Sequence, residues 1–292
     1  MTVFIQYLVN GLSMGSVYAI IALGYTMVYG IAKMLNFAHG DVIMVGAYVS
    51  FCATSYLGLP GWASVILSCA VCTVLGVLIE GLAYKPLRQA GPLAVLITLS
   101  ACLTSCRMPR SFCGAPRPRT SLRSSPSGAG VLGQVQRERR IARHHRRLSG
   151  YHAGLMFFTG KTKMGKAMRA VSEDKAAAQL MGINVNRTIS MTFAIGSALA
   201  AIAGVLLCSY SPVLQPTTGA MPGIKAFDAA VFGGIGSIPG AFVGGILIGI
   251  IEAMAQAYIS TSLANSIVFG VLIIVLLVKP AGLLGKYVPE KV

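Results

Sequence analysis

The feature that most constrains this chain is a series of long apolar runs. Phe4 to Ile31, Trp62 to Tyr84 and Ile189 to Tyr210 are each mostly apolar. A helix needs about 20 consecutive apolar residues to cross a bilayer, because the hydrocarbon core is about 30 Å thick. Only 11% of the 292 residues are charged, against about 25% in soluble globular domains. The sequence therefore predicts an all-α, polytopic integral membrane protein.

Three further apolar runs bring the prediction to about six spans. They are Val42 to Tyr56, Phe227 to Tyr258 and Ser266 to Val278. The first run of the chain, which glycines and serines interrupt, is open to interpretation as one long span or a broken one. The run from Phe227 to Tyr258 is broken at 233–240. If Arg187 and Lys279 are both cytoplasmic, an even number of membrane crossings lies between them, and this run must cross twice as two short pieces. Otherwise it crosses once, and the C-terminus lies outside the cytoplasm.

Positive charge is concentrated in two stretches of the chain. The formal net charge is +16, and residues 102–150, with 11 Arg and the single acid Glu138, contribute +10 of it. The second stretch, Lys161 to Arg187, holds six basic residues and two acids. Basic residues near span ends mark the cytoplasmic side of a membrane. We therefore expect residues 161–187 to form a cytoplasmic loop.

Lys161 to Arg187 also has the pattern of a short helix. Ser172 is placed to cap the helix, and Glu173 and Asp174 follow in its first turn, where the helix dipole favours negative charge. Gly182 is placed to end the helix. The apolar residues that would share one helical face are Ala177, Leu180 and Met181.

Residues 102–154 interrupt the apolar pattern. An apolar run begins at Pro92 and stops near Thr104, and the sequence from Cys106 to Arg147 is rich in Arg, Ser and Pro. An Arg at the bilayer centre costs about 2.5–3.5 kcal/mol, so this stretch does not cross. Three interpretations are open: a disordered basic loop, an arm that binds nucleic acid or anionic lipid, and a stretch translated out of frame.

The out-of-frame interpretation is the one we favour. Nucleic-acid binding uses aromatic stacking, and between 106 and 147 the only aromatic residue is Phe112. Shifted codons for Leu103 to Gly114 permit the apolar sequence YLLQNAALLLWG, and those for Ile141 to His152 permit SLVITVACLVIM. Arg88 and Lys161 are both expected in the cytoplasm, and a hairpin of two spans would connect them. We predict that residues 102–154 replace two membrane helices.

Motifs on both sides of this stretch resemble those of one known family. They are Gly11-Leu12-Ser13-Met14-Gly15, Asn36-Phe37-Ala38-His39-Gly40-Asp41, Met164-Gly165-Lys166-Ala167-Met168-Arg169, Pro222-Gly223-Ile224-Lys225-Ala226-Phe227 and Gly233-Gly234-Ile235-Gly236-Ser237-Ile238-Pro239-Gly240. In this order they resemble the first of the two permease subunits of branched-chain amino-acid ABC importers. The resemblance covers about 1–100 and 156–292. Residues 102–154 depart from it, where the family has apolar spans, and an intact fold would have about eight spans.

The resemblance implies a single permease domain, 1–292, that is multi-pass in the bacterial inner membrane, moves branched-chain amino acids and is not an enzyme. Implied partners are a second permease subunit, two ATP-binding subunits, a periplasmic amino-acid-binding protein and membrane lipid, with no nucleic acid and no cofactor. The sequence holds no GxxxxGK[ST] motif, so ATP hydrolysis falls to partners. Residues 161–187 would be the coupling loop, with Glu173, Ala177 and Gly182 docking on an ATP-binding subunit. An ordinary amphipathic interfacial helix is the alternative.

Four polar residues are candidates for the translocation path: Asn36, His39, Asp41 and Glu252. An ionisable residue within an apolar run is a functional candidate by default. The alternative for Asn36, His39 and Asp41 is that they cap and hydrogen-bond a helix break. The alternative for Glu252 is a packing role with a satisfied partner.

Two other acids and a glycine-rich break have structural alternatives. Glu80 and Asp228 lie near span ends, close to Lys85 and Lys225, and we expect them to be solvated or paired. The glycines at 233–240 fit a discontinuous helix beside a transport path, and they also fit plain close packing.

Three rival functions follow from these patterns. Within the family, the rival is a permease for urea or short amides. From another class, it is a membrane-anchored protein whose Arg-rich loop binds nucleic acid or anionic lipid. The third is an inert, frameshifted product that lacks its hairpin.

Overall fold

The computed structural model describes residues 2–33, 36, 38–85, 119–120, 154, 157–210, 213–215 and 217–285. Its helices are α1 (Thr2–Ala32), α2 (His39–Ser55), α3 (Gly61–Ile79) with a π-helical continuation (Glu80–Tyr84), α4 (Lys163–Glu173), α5 (Lys175–Leu180), α6 (Val185–Tyr210), α7 (Ala220–Gly233), α8 (Ile238–Tyr258) and α9 (Ala264–Val278). Two short strands, β1 (Arg119–Thr120) and β2 (Val213–Leu214), pair antiparallel. The all-α class is confirmed for the described residues, with this small pair as an addition.

Four of the described helices are long and apolar enough to cross a membrane: Phe4–Ala32, Gly61–Leu82, Val185–Cys208 and Ile238–Tyr258. Ala264–Val278 is a shorter apolar helix. The first apolar run is one continuous helix of 31 residues, so the alternative of a broken first span is wrong. At about 1.5 Å per residue it extends about 46 Å, which exceeds the hydrocarbon core. The stretch 102–154, which we predict to replace two membrane helices, lies outside the described residues apart from Arg119, Thr120 and Gly154.

The predicted break in the run from Phe227 to Tyr258 is present. α7 ends at Gly233, and Gly234 and Gly236 follow with φ of +108° and +94°. Ser237 then caps α8, because its Oγ accepts a hydrogen bond from the Gly240 N–H at 3.3 Å. α8 has 21 residues and is long enough to cross a bilayer alone, whereas α7 has 14 residues.

The short helix α7 begins at Ala220, so Pro222 lies in its first turn. Proline has no backbone N–H to donate. In the first turn of a helix that N–H has no intrahelical acceptor, and proline is tolerated there.

The chain divides into two units. Unit 1 comprises Met1–Thr26, Ser124–Thr162 and Lys225–Val292, and unit 2 comprises Met27–Arg123 and Lys163–Ile224. The long helix α1 and the short helix α7 each contribute residues to both units.

Unit 2 contains a group of three helices, α2, α3 and α6, that pack on one another. A Cβ atom on Gly46 would lie 2.7 Å from the Cα atom of Ala201, so the α2 and α6 backbones meet at a position where only glycine fits. Ser68 on α3 donates to the Gly46 carbonyl at 2.7 Å. Small residues and hydroxyl groups at helix interfaces are typical of membrane proteins.

Unit 1 contains a similar close contact between α1 and α8. A Cβ atom on Gly15 would lie 2.8 Å from the carbonyl oxygen of Ile246. The chain after α9 returns to the end of α7, where the Leu283 and Leu284 N–H groups donate to Phe232 and Gly233 at 2.9 Å. These bonds satisfy carbonyl groups that the last turn of a helix leaves without partners.

Candidate functional site

The polar stretch Lys161 to Arg187 folds as two short helices, α4 and α5, separated by Asp174. Asp174 is extended, with φ −150° and ψ 115°, and its Oδ1 accepts hydrogen bonds from Ala176 N at 2.7 Å and Ala177 N at 3.0 Å. The predicted cap at Ser172 is wrong. α4 continues through Glu173, and the Ser172 hydroxyl donates back to the Arg169 carbonyl at 2.7 Å. Asp174 is therefore the N-cap of α5.

α5 ends as the sequence predicts, at Gly182. Gly182 has φ +81°, a left-handed conformation that glycine adopts without a steric penalty. Its N–H donates to the Gln179 carbonyl, and the Ile183 N–H donates to the Ala178 carbonyl, both at 3.0 Å. These bonds close the end of the helix in the manner of a Schellman motif.

The apolar residues predicted to share one face of α5 lie at the surface. Ala177 is exposed, the exposed fractions of Leu180 and Met181 are 89% and 82%, and Ala178 is buried. Leu180 and Met181 are adjacent in sequence, so the charged segment carries a small exposed apolar patch. Beside it lies a groove of about 380 Å³, lined by Gln179, Gly182, Ile183, Asn184, Val185 and Asn186.

Lys175, in the first turn of α5, is bonded to the end of α1. Its Nζ donates to the Ala32 carbonyl at 3.2 Å, and both residues belong to unit 2. α1 ends at Ala32 because Lys33 takes φ +58°. The last carbonyls of a helix have no intrahelical partners and carry partial negative charge, which attracts a lysine. Sequence reasoning missed this bond, because no local pattern pairs residues 143 positions apart.

Asn36, His39 and Asp41 are brought together in unit 2, where α2 begins. All three are buried, and the His39 N–H donates to the Asn36 carbonyl at 3.1 Å. The N-cap of α2 is Ala38, which has no side-chain cap bond. Among the described residues, Asn36 Oδ1 has no hydrogen-bond partner, so the alternative that its side chain caps the break is wrong.

Glu252 is buried in unit 1 and has three polar neighbours. Its Oε1 lies 2.7 Å from Lys225 Nζ and accepts from Gln256 Nε2 at 3.1 Å, and its Oε2 accepts from Tyr18 at 2.9 Å. Glu252 is thus satisfied by its partners, as its packing alternative requires. Asn36, His39 and Asp41 belong to unit 2, so the four path candidates do not fall in one unit.

Glu80 and Asp228 are expected to be solvated or paired, and of these two alternatives the solvated one is wrong, because both residues are buried. Glu80 Oε2 accepts a hydrogen bond from Ser190 at 2.7 Å. Lys225 forms its ion pair with Glu252, from another helix, although Asp228 is its neighbour in sequence. Spacing along the sequence indicates Asp228 as the partner of Lys225, but the tertiary fold places Glu252 there instead.

The chain is similar to transport permeases along nearly all of its length. Residues 7–108 and 151–277 match the family described as branched-chain amino acid transport system / permease component. The high-affinity branched-chain amino acid transport system permease protein LivH of Escherichia coli K12 is 41% identical over 302 residues, covering 99% of this chain and 98% of that protein. BraD of Pseudomonas aeruginosa, a permease protein of the same description, is 41% identical over 305 residues, with 99% and 98% covered.

A more distant relative is also similar over most of its length. The probable branched-chain amino acid transport permease protein LivH of Methanocaldococcus jannaschii is 30% identical over 287 residues, covering 91% of this chain and 88% of that protein. No solved structure matches the chain. The interval between the two matched ranges, 109–150, falls within the stretch that departs from the family motifs.

Replacing Asp174 tests the observed cap. Asp174→Ala removes the acceptor of two α5 amides, and loss of an N-cap costs about 0.5–2 kcal/mol. We expect amide hydrogen exchange in residues 175–180 to become about 2–30 times faster, because local opening becomes easier by that free energy. Ser172→Ala is the matched control and should leave exchange in α5 unchanged. Faster exchange of the α5 amides in Ser172→Ala, or no increase in their exchange rate in Asp174→Ala, would show that the cap is assigned to the wrong residue.

Proposed function

The chain belongs to the branched-chain amino acid transport permease family, and we propose that it is the membrane-spanning permease subunit of an ABC importer in the bacterial inner membrane. Its cargo on this proposal is leucine, isoleucine or valine. The observation that carries the proposal is the family match at 7–108 and 151–277, with 41% identity to permeases of that description along 99% of the chain. The long apolar helices of both units support it.

We further propose the partners that such a subunit requires. The sequence has no phosphate-binding loop of the GxxxxGK[ST] type, so the energy of ATP must reach it through other chains. The expected assembly contains a second permease subunit, two ATP-binding subunits and a periplasmic amino-acid-binding protein. The cargo selectivity of the system rests largely with the binding protein.

We propose that α5 is the docking element for an ATP-binding subunit, with Glu173, Ala177 and Gly182 at the contact. Three features support this role. Asp174 and Gly182 fix both ends of the helix, so it is short and rigid. Leu180 is almost fully exposed, although the stretch around it is charged. The groove beside α5 offers amide and backbone groups at its walls.

Lys175 provides a route from this docking element into the membrane helices. A displacement of α5 would be transmitted to the end of α1 through the hydrogen bond from Lys175 Nζ to the Ala32 carbonyl. A conformational change of a partner is transmitted when rigid elements move together, and a short helix tied to a long one meets that condition. Asn36, His39 and Asp41 follow directly after α1 in the chain. We propose these three residues, together with Glu252, as polar groups of the translocation path.

We also infer that residues 102–154 are an out-of-frame replacement for two membrane helices. The Arg-rich composition of 102–150 prevents it from crossing a bilayer. The family match stops at residue 108 and resumes at 151, which supports the inference. The apolar sequences that shifted codons permit are those of a helical hairpin.

Uptake of labelled leucine into proteoliposomes tests the proposed function. The complex is reconstituted with its partners and with residues 102–154 replaced by the aligned segment of the Escherichia coli relative. We expect accumulation that requires both ATP and the binding protein. The chain that keeps its own residues 102–154 is the matched control. Its leucine uptake should fall to the level measured without ATP, because two spans are missing. Accumulation of urea or a short amide in place of leucine would contradict the proposed cargo, and ATP-independent uptake would contradict the importer class.

Tryptic peptides from the cell membrane test the frame inference. Ser124–Arg137 and Ala176–Arg187 are both tryptic peptides of the written sequence and are similar in length. We expect mass spectrometry to detect Ala176–Arg187 and not Ser124–Arg137, and DNA sequencing of codons 95–160 to show an altered frame. Detection of both peptides in similar amounts would show that the Arg-rich stretch is part of the protein.

A further inference from the structure

Unit 1 contains a buried group of charged residues on two helices. Lys225 and Asp228 lie on α7 and Glu252 lies on α8, with exposed fractions of 6%, 5% and 7%. Lys225 Nζ and Glu252 Oε1 are 2.7 Å apart. Tyr18 and Gln256 also donate to Glu252, so both of its carboxylate oxygens are occupied. Glu252 therefore holds Lys225 in place and has little capacity for another ligand.

Asp228 differs from Glu252, because one of its oxygens has no partner. Among the described residues, no group donates a hydrogen bond to Asp228 Oδ2, although the atom is buried. Asp228 follows Lys225 by three positions on α7, so the two side chains lie on one face of the helix. When ionised, the three residues Lys225, Asp228 and Glu252 carry one more negative than positive charge. An unpaired buried charge is costly, so the group is suited to receive one further positive charge.

Lys225 has donor capacity beyond its ion pair. A lysine ammonium carries three N–H donors. Glu252 Oε1 is the acceptor that the described residues provide for Lys225 Nζ. The group thus offers an acceptor for a cation at Asp228 and donors for an anion at Lys225, a few ångströms apart along one helical face.

The helix that carries these two residues is discontinuous. α7 has 14 residues, which extend about 21 Å and do not span the hydrocarbon core. It ends at Gly233, and the four residues 234–237 are not helical before α8 begins at Ile238. In transporters, substrates bind where a membrane helix is discontinuous, because irregular backbone is tolerated only beside a cavity or protein.

We propose that Asp228 and Lys225 form a contact site for the charged head group of a zwitterionic amino acid during its passage. Asp228 accepts hydrogen bonds from the α-ammonium group, Lys225 donates to the α-carboxylate, and Glu252 positions Lys225. This inference rests on the proposed function, since urea and simple amides carry neither charge. An inorganic cation would satisfy Asp228 alone, whereas a zwitterion satisfies both residues.

Ligand-induced thermal stabilisation of the purified transport complex tests the site without requiring transport. A ligand that binds the folded state raises the unfolding temperature in proportion to the logarithm of its concentration over its dissociation constant. The probes are L-leucine, 3-methylbutylamine, which lacks the carboxylate, 4-methylpentanoate, which lacks the ammonium, and NaCl. We expect L-leucine to stabilise the complex, and we expect the affinity deduced for each single-charge analogue to be at least about tenfold lower, since the analogue lacks the hydrogen bonds of one charged group. The binding protein is left out, so that amino-acid sites are expected only in the membrane-spanning subunits.

Two variants separate a head-group site from a structural role. Asp228→Asn should weaken the effect of L-leucine at least about tenfold relative to its own ligand-free unfolding temperature. Glu80→Gln is the matched control, because Glu80 is also a buried carboxyl group and belongs to unit 2. It should leave the leucine effect unchanged. Where Asp228→Asn does not fold, the comparison of analogues on the unmodified chain decides.

Several results would overturn the inference. Equal stabilisation by 3-methylbutylamine or NaCl would show a cation site only. Equal leucine effects in Asp228→Asn and the unmodified chain would place the head group elsewhere, while leucine uptake would still uphold the proposed function. Absence of any leucine effect would also reject the site, and the uptake assay would then judge the proposed function separately.

Discussion

Close contact between helix backbones is the constraint on which the described structure depends. Lipid chains are as apolar as leucine side chains, so burial of apolar surface does not drive helices together in a bilayer. Van der Waals contact between backbones does, and it requires residues without large side chains. Gly46 against Ala201 joins α2 to α6 in unit 2, and Gly15 against Ile246 joins α1 to α8 in unit 1. These contacts hold the helices that carry the polar residues.

Polar groups inside such packing are expensive unless they are paired, and most of the buried ones are. Ser68 donates to the Gly46 carbonyl, and Glu252 has three donors. Asn36 Oδ1 and Asp228 Oδ2 have no partner among the described residues. A buried group without a partner costs about 1–3 kcal/mol, so stability does not explain these residues. The proposed function accounts for them, because a passing amino acid needs hydrogen bonds inside the membrane.

The sequence predicts the helices well and their partners poorly. Five of the six predicted spans each correspond to one helix, and the run from Phe227 to Tyr258 is divided between α7 and α8. Helices are favoured because a backbone in lipid must satisfy its hydrogen bonds within the segment. The sequence indicates Ser172 as the cap of α5 because Ser and Asp are both good caps, and local sequence does not show that α4 continues to Glu173. The pairing of Lys225 with Glu252 joins residues 27 positions apart, and local spacing favours Asp228 instead. Such contacts depend on how helices pack, which periodicity does not encode.

The proposed function depends most directly on the docking of α5 on an ATP-binding subunit. The most direct measurement is the amount of ATP-binding subunit that co-purifies with the permease in detergent. Leu180→Asp places a charge at the large, exposed apolar residue of α5, and Leu263→Asp makes the same change on the exposed loop between α8 and α9. We expect Leu180→Asp to reduce the co-purified subunit at least about tenfold, as the loss of a central interface residue does, and Leu263→Asp to leave it unchanged. Full retention of the ATP-binding subunit by Leu180→Asp, or equal loss in both variants, would contradict the docking role of α5.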